Sequence, residues 1–503
     1  MWLTDLIGKV VRKLFPKADL EKKLGISLAV SSDMQNAIQL WNDMYLNQPY
    51  WKRDGTRTMN LPAAISHEFA RLIMIENQFD ITGSPFADYL NEQLKNALKD
   101  SLKAKVEVYC ALGGIALKPY VVGDSIMIDF TQADAFYPTD YNSNGDITGA
   151  VFVDAKRKGK YVYTRLEMHK FEKNVQVTDE PAQETEDGSP GEPRSTNTYT
   201  VTSRAFRSEQ LISNNDEYDL TCQHPFSEEV PLTEVPEWAD LAPSVTIKDV
   251  EKPLFVYIRV PAANNVDKRS PLGASVYAKA LENIQDADEL YSESKFEFDA
   301  LQAAIDADVS LFKLDREGNP ILPKGMDRVY RHYEVESSGT GATTKPFFEV
   351  TAPAFRDTSL FNGLDHYLKI VEFLCELSFG TISNPNSVEK TATEIEASKQ
   401  RSYSAVCSMQ EAWDIGLRDL VYAMSVLAEL YNLAPVGEYD VNIMWGDGIL
   451  EDYDKEYQRR WSMVVAGKYR LELFLAWHFG VSEEEALKMI PQQQPGPEFP
   501  EEE

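Results

Sequence analysis

The chain has 503 residues, 43% of them hydrophobic, with 24 Tyr, 23 Phe and 8 Trp. It is too long for one ordinary domain and too rich in apolar and aromatic groups for wholesale disorder. Eighty acidic residues against 50 basic ones give a net charge of −30, which excludes tight gripping of a nucleic acid by phosphate neutralisation but not surrounding one and letting it slide. Cys110, Cys222, Cys375 and Cys407 have neither metal-knuckle nor redox-pair spacing, and Cys375 and Cys407 fall in apolar helical patterns as buried thiols. Nothing demands an oxidising compartment, and no apolar run reaches the length of a membrane span.

Residues 1–20 do not read as a signal peptide. Leu3, Ile7, Val10, Val11, Leu14 and Phe15 alternate with Lys9, Arg12, Lys13 and Lys17 at helical spacing. A basic amphipathic arm of this kind, residues 1–29, can lie on a membrane; docking on a partner or on its own chain is the preferred reading. From 30 to 104 apolar residues recur every three or four positions (Ile38, Trp41, Tyr45; Ile65, Phe69, Leu72), which predicts helices. From 105 to 258 the alternation of 125–130 and of 161–166, with a turn cluster at 142–146 between them, predicts strands. Residues 179–197 are acidic, with almost nothing apolar to bury, and read as a mobile surface loop; residues 491–503 read as a disordered tail.

Three long helices follow. The first is expected from about Gly273 to Ile305, roughly 45 Å. Val276, Ala280, Ile284, Ala287, Tyr291, Ser294, Phe298, Leu301 and Ile305 share its apolar face, and Glu282, Asp286, Glu289, Glu293 and Glu297 share the far side. The second is expected from Thr358 to Ser378, with Asp357 as N-cap and Gly380 as its stop. The third starts near Ala392 behind a capping-box pattern, Thr391-Ala392-Thr393-Glu394, and ends before Pro435, roughly 60 Å away. Between the first two lies 306–356, whose glycines and prolines forbid continuous helix and whose flanks, 309–314 and 347–350, suit short strands. Between the second and third lies a short polar loop.

No catalytic signature emerges. Gly339 to Lys345 lacks phosphate-loop spacing, no two histidines share a metal-binding turn, and no serine sits in a nucleophile elbow. Glu167 and His169 would share one strand face, as metal ligands can, but a surface pair is the ordinary reading. No metal and no cofactor is expected, and the chain is not read as an enzyme.

Several stretches resemble the portal proteins of siphoviruses that infect Gram-positive hosts. They are Gly113-Gly114-Ile115-Ala116-Leu117-Lys118-Pro119-Tyr120 with Asp134-Ala135-Phe136-Tyr137-Pro138-Thr139; Tyr163-Thr164-Arg165-Leu166-Glu167-Met168-His169; Ser270-Pro271-Leu272-Gly273; Lys390-Thr391-Ala392-Thr393-Glu394-Ile395; and Trp445-Gly446-Asp447 with Asp452, Gly467 and Ser482 to Ala486. They run in family order over about residues 105 to 490. The chain departs at Phe379-Gly380, where the family has a Gly-Leu step, and in the acidic 179–197 insertion.

The resemblance implies an α+β portal fold: a mixed α/β wing, a helical stem, a small β-containing clip, a long spine helix and a helical C-terminal crown. It divides the chain into a wing (30–272), stem helix 1 (273–305), clip (306–356), stem helix 2 (357–379), tunnel loop (380–391), spine helix and strand (392–453) and crown (454–490). It implies a twelve-subunit ring at a capsid vertex, assembled in the host cytoplasm with major capsid and scaffolding proteins. Double-stranded DNA would be packaged and ejected through the ring, which would dock the terminase large subunit and later a head-completion adaptor.

Residue roles follow, each beside a plainer reading. Thr381, Ser383, Asn384, Asn386, Ser387 and Lys390 of the tunnel loop are implied DNA contacts, though most short loops only connect. The stripe from Glu282 to Glu297 is either a solvated outer face or a channel lining; a 45 Å channel would hold about 26 phosphate charges, which like charge on the wall would keep from sticking. Lys313, Arg316, Lys324, Arg328 and Arg331 of the clip are either scattered surface charge or a partner-docking patch. Two other functions stay open: a different neck or baseplate component, which would lack a DNA-sized bore, and an acidic polysaccharide hydrolase, which would be an active monomer with a carboxylate-lined cleft.

Overall fold

The computed structural model describes residues 17–75, 77–99, 102–176, 195–209, 226–300, 304–308, 330–333, 348–351, 356–384, 392–446, 453–479 and 483–490. The chain divides into two compact units, residues 1–74 with 79–443 and residues 75–78 with 444–503. The chain as a whole is mixed α and β, as expected.

The first unit opens with helices α1 (Lys17–Leu24), α2 (Ser32–Tyr45) and α3 (Leu61–Ile73). Leu20 and Leu28 are buried on the sheet below, against Val151, Val162 and Phe206, so residues 17–28 of the expected arm dock on their own chain. The arm's basic face at Lys9, Arg12 and Lys13 lies outside the described residues. Strand β1 (Gln78–Thr82) follows, then α4 (Pro85–Leu98), capped by Ser84 Oγ accepting from the Ala87 amide at 3.3 Å. Helix α5 (Leu102–Leu112) corrects the expectation of strand from 105. Val106, Tyr109, Cys110 and Leu112 are all buried, so β-forming residues are carried here by a helix enclosed on most sides, where periodicity loses its signal.

Strands β2 (Gly114–Val122), β3 (Ser125–Gln132) and β10 (Val256–Arg259) form an antiparallel sheet in the order β10-β2-β3. Strands β4 (Phe136–Tyr141), β5 (Ile147–Lys158), β6 (Tyr161–Gln176), β7 (Ser195–Glu209) and β8 (Glu228–Val230) form a second sheet in chain order, and β9 (Ser244–Lys248) also pairs with β7. The expected acidic loop falls almost entirely on residues outside those described; its last three, 195–197, begin β7. The two sheets meet through aromatic rings, with Phe136 stacked on Tyr257 at 5.0 Å and Phe152 edge-on to Phe255 at 5.7 Å.

The first long helix, α6, is Leu281–Ala300, about 30 Å long and shorter than its apolar pattern predicts at both ends. Residues 273–280 are not helical, with a turn at 276–279 tied by the Val276 amide to Cys110 O at 3.1 Å. Gly113 has φ +82°, and a side chain on it or on Gly273 would collide with the other's backbone. Beyond α6, Ile305 lies in a strand. Strands β11 (Ala304–Asp308), β12 (Tyr330–Tyr333) and β13 (Phe348–Thr351) make a sheet in the order β12-β11-β13, parallel on one side and antiparallel on the other. The strand expected at 309–314 lies outside the described residues, and that at 347–350 corresponds to β13.

Helix α7 is Asp357–Leu374. Its cap residue is Arg356 rather than Asp357, and it stops before Gly380. The Leu377 amide donates to Glu372 O at 2.8 Å and the Glu376 amide to Phe373 O at 3.2 Å, a Schellman ending with Glu376 in the left-handed region at φ +63°. A non-glycine there carries no sequence signal, whereas Gly380 carries the usual one. Helix α8 (Ala392–Leu430), 39 residues and about 58 Å long, has the predicted extent; the capping-box side chains lie outside those described. Trp413 on α8 is fully buried, edge-on to Tyr109 at 5.4 Å, and Gly416 gives the room for Ile258 of β10 to cross α8 closely. Strand β14 (Asp440–Met444) pairs with β1.

The second unit consists of α9 (Tyr453–Val465), α10 (Leu471–Phe479) and α11 (Glu483–Met489). Phe474 is its buried centre, ringed by Tyr457, Trp461 and His478 at 5.3–5.8 Å.

Candidate functional site

Helix α6 is held at its base by buried contacts. Asp288, 2% exposed, accepts from Trp51 Nε1 at 3.0 Å and from the Met59 amide at 2.8 Å. Burial pushes its carboxyl up, opposed by those two donors. Ala280, Ile284 and Ala287 are buried below, but further along the same face Tyr291 and Phe298 are 36% and 48% exposed. The apolar stripe predicted from the sequence is real, and its distal half projects beyond the core.

Helix α7 packs beside α6, with Gly363 against Leu290 and Phe361 6.2 Å from Phe298. Arg356, just ahead of α7, reaches back to Glu297 at 2.6 Å and to Glu293 at 3.3 Å. The acidic stripe is therefore graded. Glu282, Asp286, Glu289 and Glu293 are exposed, whereas Glu297 is largely covered beneath Arg356. At 3.6 residues per turn the stripe lies roughly opposite Tyr291 and Phe298, with Phe296, 71% exposed, on the flank of the stripe.

The loop after α7 is anchored by a side chain that sequence reasoning passed over. Glu372 is fully buried. Its Oε1 accepts from the Ile382 amide at 2.7 Å and the Ser383 amide at 2.9 Å; its Oε2 accepts from the Gly380 amide at 3.1 Å and Ser383 Oγ at 2.8 Å. Asp365, two turns earlier, accepts from the Asn384 amide at 2.9 Å. Thr381 turns its hydroxyl to Ser378 O at 2.6 Å. Of the candidate loop residues, then, Ser383 is buried, Thr381 and Asn384 are exposed, and Asn386, Ser387 and Lys390 lie outside the described residues. The signal for Glu372 was a carboxylate among Leu368, Val371 and Cys375 on the apolar face of a helix, since a buried charge requires partners. Helix α8 backs this corner: Arg401 lies over Phe373 at 4.8 Å and Phe379 at 5.6 Å, and Ser402 Oγ is 2.9 Å from Ser378 Oγ.

Of the five candidate basic residues of 306–356, Arg331 has its backbone in β12. Lys313, Arg316, Lys324 and Arg328 lie outside the described residues.

Glu167 and His169 are not a surface pair. His169 is 4% exposed; its Nε2 is 2.8 Å from Glu167 Oε1 and its Nδ1 2.6 Å from Tyr199 Oη. Lys118 Nζ and Arg165 Nη2 sit 3.1 and 3.0 Å from Glu167 Oε2. Burial works to raise the Glu167 carboxyl, but Lys118, His169 and Arg165 together hold it well below the usual range, while burial pulls the His169 imidazole down. Among the described residues no group of three or more His, Cys, Asp or Glu is placed to hold a metal, and no helix is long and apolar enough to cross a membrane. The arrangement offers surfaces and an anchored loop.

A family model described as phage portal protein, SPP1 Gp6-like, matches residues 59–495. No curated protein matches the chain.

Proposed function

Because the chain belongs to the SPP1 Gp6-like phage portal protein family, we propose that it forms a closed ring of twelve subunits at one vertex of a siphovirus capsid, assembled in the host cytoplasm. Membership makes it a structural, non-enzymatic component of the virion capsid with a portal function, working as an oligomeric ring with DNA. The observation that carries the detailed reading is the chain order: α6, the β11–β13 sheet, α7, a short loop, and the 39-residue α8. In this reading α6 and α7 are the stem, the small sheet is the clip, 380–391 is the tunnel loop, α8 is the spine of the wing, and α9 to α11 are the crown.

The two faces of α6 divide its work. A second copy covers Tyr291, Phe298 and Phe361, because half-exposed aromatics at the end of a helix pair gain most by burial against another apolar surface. The acidic stripe then faces the bore, where its charge repels the DNA phosphates and prevents sticking. Short polar groups of the tunnel loop touch phosphate oxygens without strong net attraction. The clip's basic residues, Lys313, Arg316, Lys324, Arg328 and Arg331, dock the terminase large subunit and afterwards the head-completion adaptor; reversing their charge should weaken motor binding and leave rings intact. Major capsid and scaffolding proteins are the assembly partners.

Deletion within 385–387 tests the loop. Rings and empty capsids should form normally while packaging or retention of DNA falls. A full-length genome packaged and retained at the normal level would refute the loop's role.

A further inference from the structure

Glu372 accepts four hydrogen bonds, from three backbone amides and one hydroxyl, all belonging to residues 380–383. Amides of Gly380, Ile382 and Ser383 converging on one point form a nest, a backbone concavity that binds anions. The anion it holds is the chain's own carboxylate, delivered from α7 and fully buried. Charge-assisted bonds of this kind are about twice as strong as neutral ones, and each donor would be left unsatisfied in the interior if the carboxylate were lost.

We propose that Glu372 is a positioning residue: its negative charge fixes the root of the 380–391 loop to α7 and so sets where the loop leaves the helix pair. The role of that loop rests on the reading above; the fixing itself does not. Volume alone would not need a carboxylate here, since Leu368, Val371 and Cys375 fill the rest of the same face. Both oxygens are required. Oε1 takes two amides, and Oε2 takes the Gly380 amide and Ser383 Oγ. An amide group in either orientation therefore sets an NH2 against two donors, although Ser383 Oγ, also 3.1 Å from the Gly380 amide, can turn to soften one of them. Asp365 adds a second tie at Asn384, so the fixed part of the loop reaches at least that residue.

The test is amide hydrogen exchange on assembled protein, comparing the native chain with E372Q, which keeps the side-chain volume and removes the charge. Exchange at Gly380, Ile382 and Ser383 should accelerate by about tenfold or more, with amides of α8 around Trp413 unchanged. S383A, which removes only the hydroxyl partner, should give a smaller acceleration at the same amides, and adding it to E372Q should cost little more. In E372A, where a carboxylate-sized space opens, millimolar acetate should restore protection at these amides. Unchanged exchange in E372Q would overturn the proposal. So would acceleration spread evenly over α7 and α8, which would make Glu372 an ordinary core residue. Acceleration confined to the loop root together with normal DNA packaging would uphold the positioning role and remove the loop from the DNA path.

Discussion

Gly113 and Gly273 meet backbone against backbone, 160 positions apart in sequence, at the corner where β2, β10 and the approach to α6 come together. Val260 donates its amide to Gly113 O at 2.9 Å across the same corner, and Tyr109 Oη reaches Arg259 O at 3.2 Å. The corner lies between the sheet of β2 and β10 and the segment that leads into α6.

Either glycine replaced by alanine forces these backbones apart. Gly113→Ala also places a side chain at φ +82°. Each substitution should destabilise the first unit by about 1–3 kcal/mol, read as a lowered denaturant midpoint. Gly123→Ala, at φ +60° in open space, should cost less. Equal effects at Gly113 and Gly123 would show that backbone strain alone matters and the close approach does not.

Asp288→Ala should leave Trp51 Nε1 and the Met59 amide without their acceptor, at a cost of about 1–3 kcal/mol. Because burial raises this carboxyl, its titration stabilises the fold at pH below its unfolded value, and that contribution is lost as pH rises through the folded value. The substitution should remove this small downward slope, measured by chemical denaturation from pH 3.5 upward.

The Glu167–His169 network titrates in the opposite sense. Both pKa values are depressed in the fold, below 4.5 for Glu167 and below 6.5 for His169. Stability is therefore complete above about pH 6.5 and falls on acidification, first as His169 is forced to protonate in competition with burial, then as Glu167 loses its charge beside Lys118 and Arg165. H169Q should flatten the upper part of the pH–stability curve and E167Q the lower part, each lowering stability at neutral pH. A wild-type midpoint independent of pH between 7 and 4 would contradict this.

Phe298→Ser combined with Phe361→Ser should weaken association while sparing the protomer, because both rings are about half exposed. The concentration for half-assembly should rise at least about tenfold, or about 1.4 kcal/mol, by light scattering, with little change in protomer melting. Assembly unaffected by the pair would put the subunit contact elsewhere.

Charge reversal at Glu282, Asp286, Glu289 and Glu293 to Lys separates the two positions open to the stripe. On a channel wall it should make rings retain DNA, with log affinity falling against log salt by about 0.9 per phosphate engaged, and should slow packaging. On an outer face it should leave packaging normal.

Much of this was readable in advance. Helix α8 declares itself because Val406, Met409, Trp413, Leu417, Leu420 and Met424 keep one buried face over many turns. The order of helices, small sheet and loop was likewise written in where glycine and proline interrupt the apolar pattern. What periodicity could not give were features set by contacts distant in sequence. Helix α5 alternates Leu102, Ala104, Val106 and Val108 with Lys103, Lys105 and Glu107, a strand's pattern carried by a largely buried helix. The close approach of Gly113 to Gly273 joins residues 160 positions apart, which no local pattern marks. Glu372 is legible only as a charge on an apolar face, and its partners lie 8 to 11 residues away in a segment that reads as a simple connector. The ending of α7 at Glu376 violates the glycine preference of the left-handed region, so a local rule misplaced it.

Electron microscopy of the purified protein decides directly whether the chain forms a closed ring around a passage for DNA. Closed rings are expected, chiefly of twelve copies of the 56.9 kDa chain, with a central bore wide enough for a double helix. A strictly monomeric particle across a wide range of concentration, or closed particles with no such bore, would contradict it.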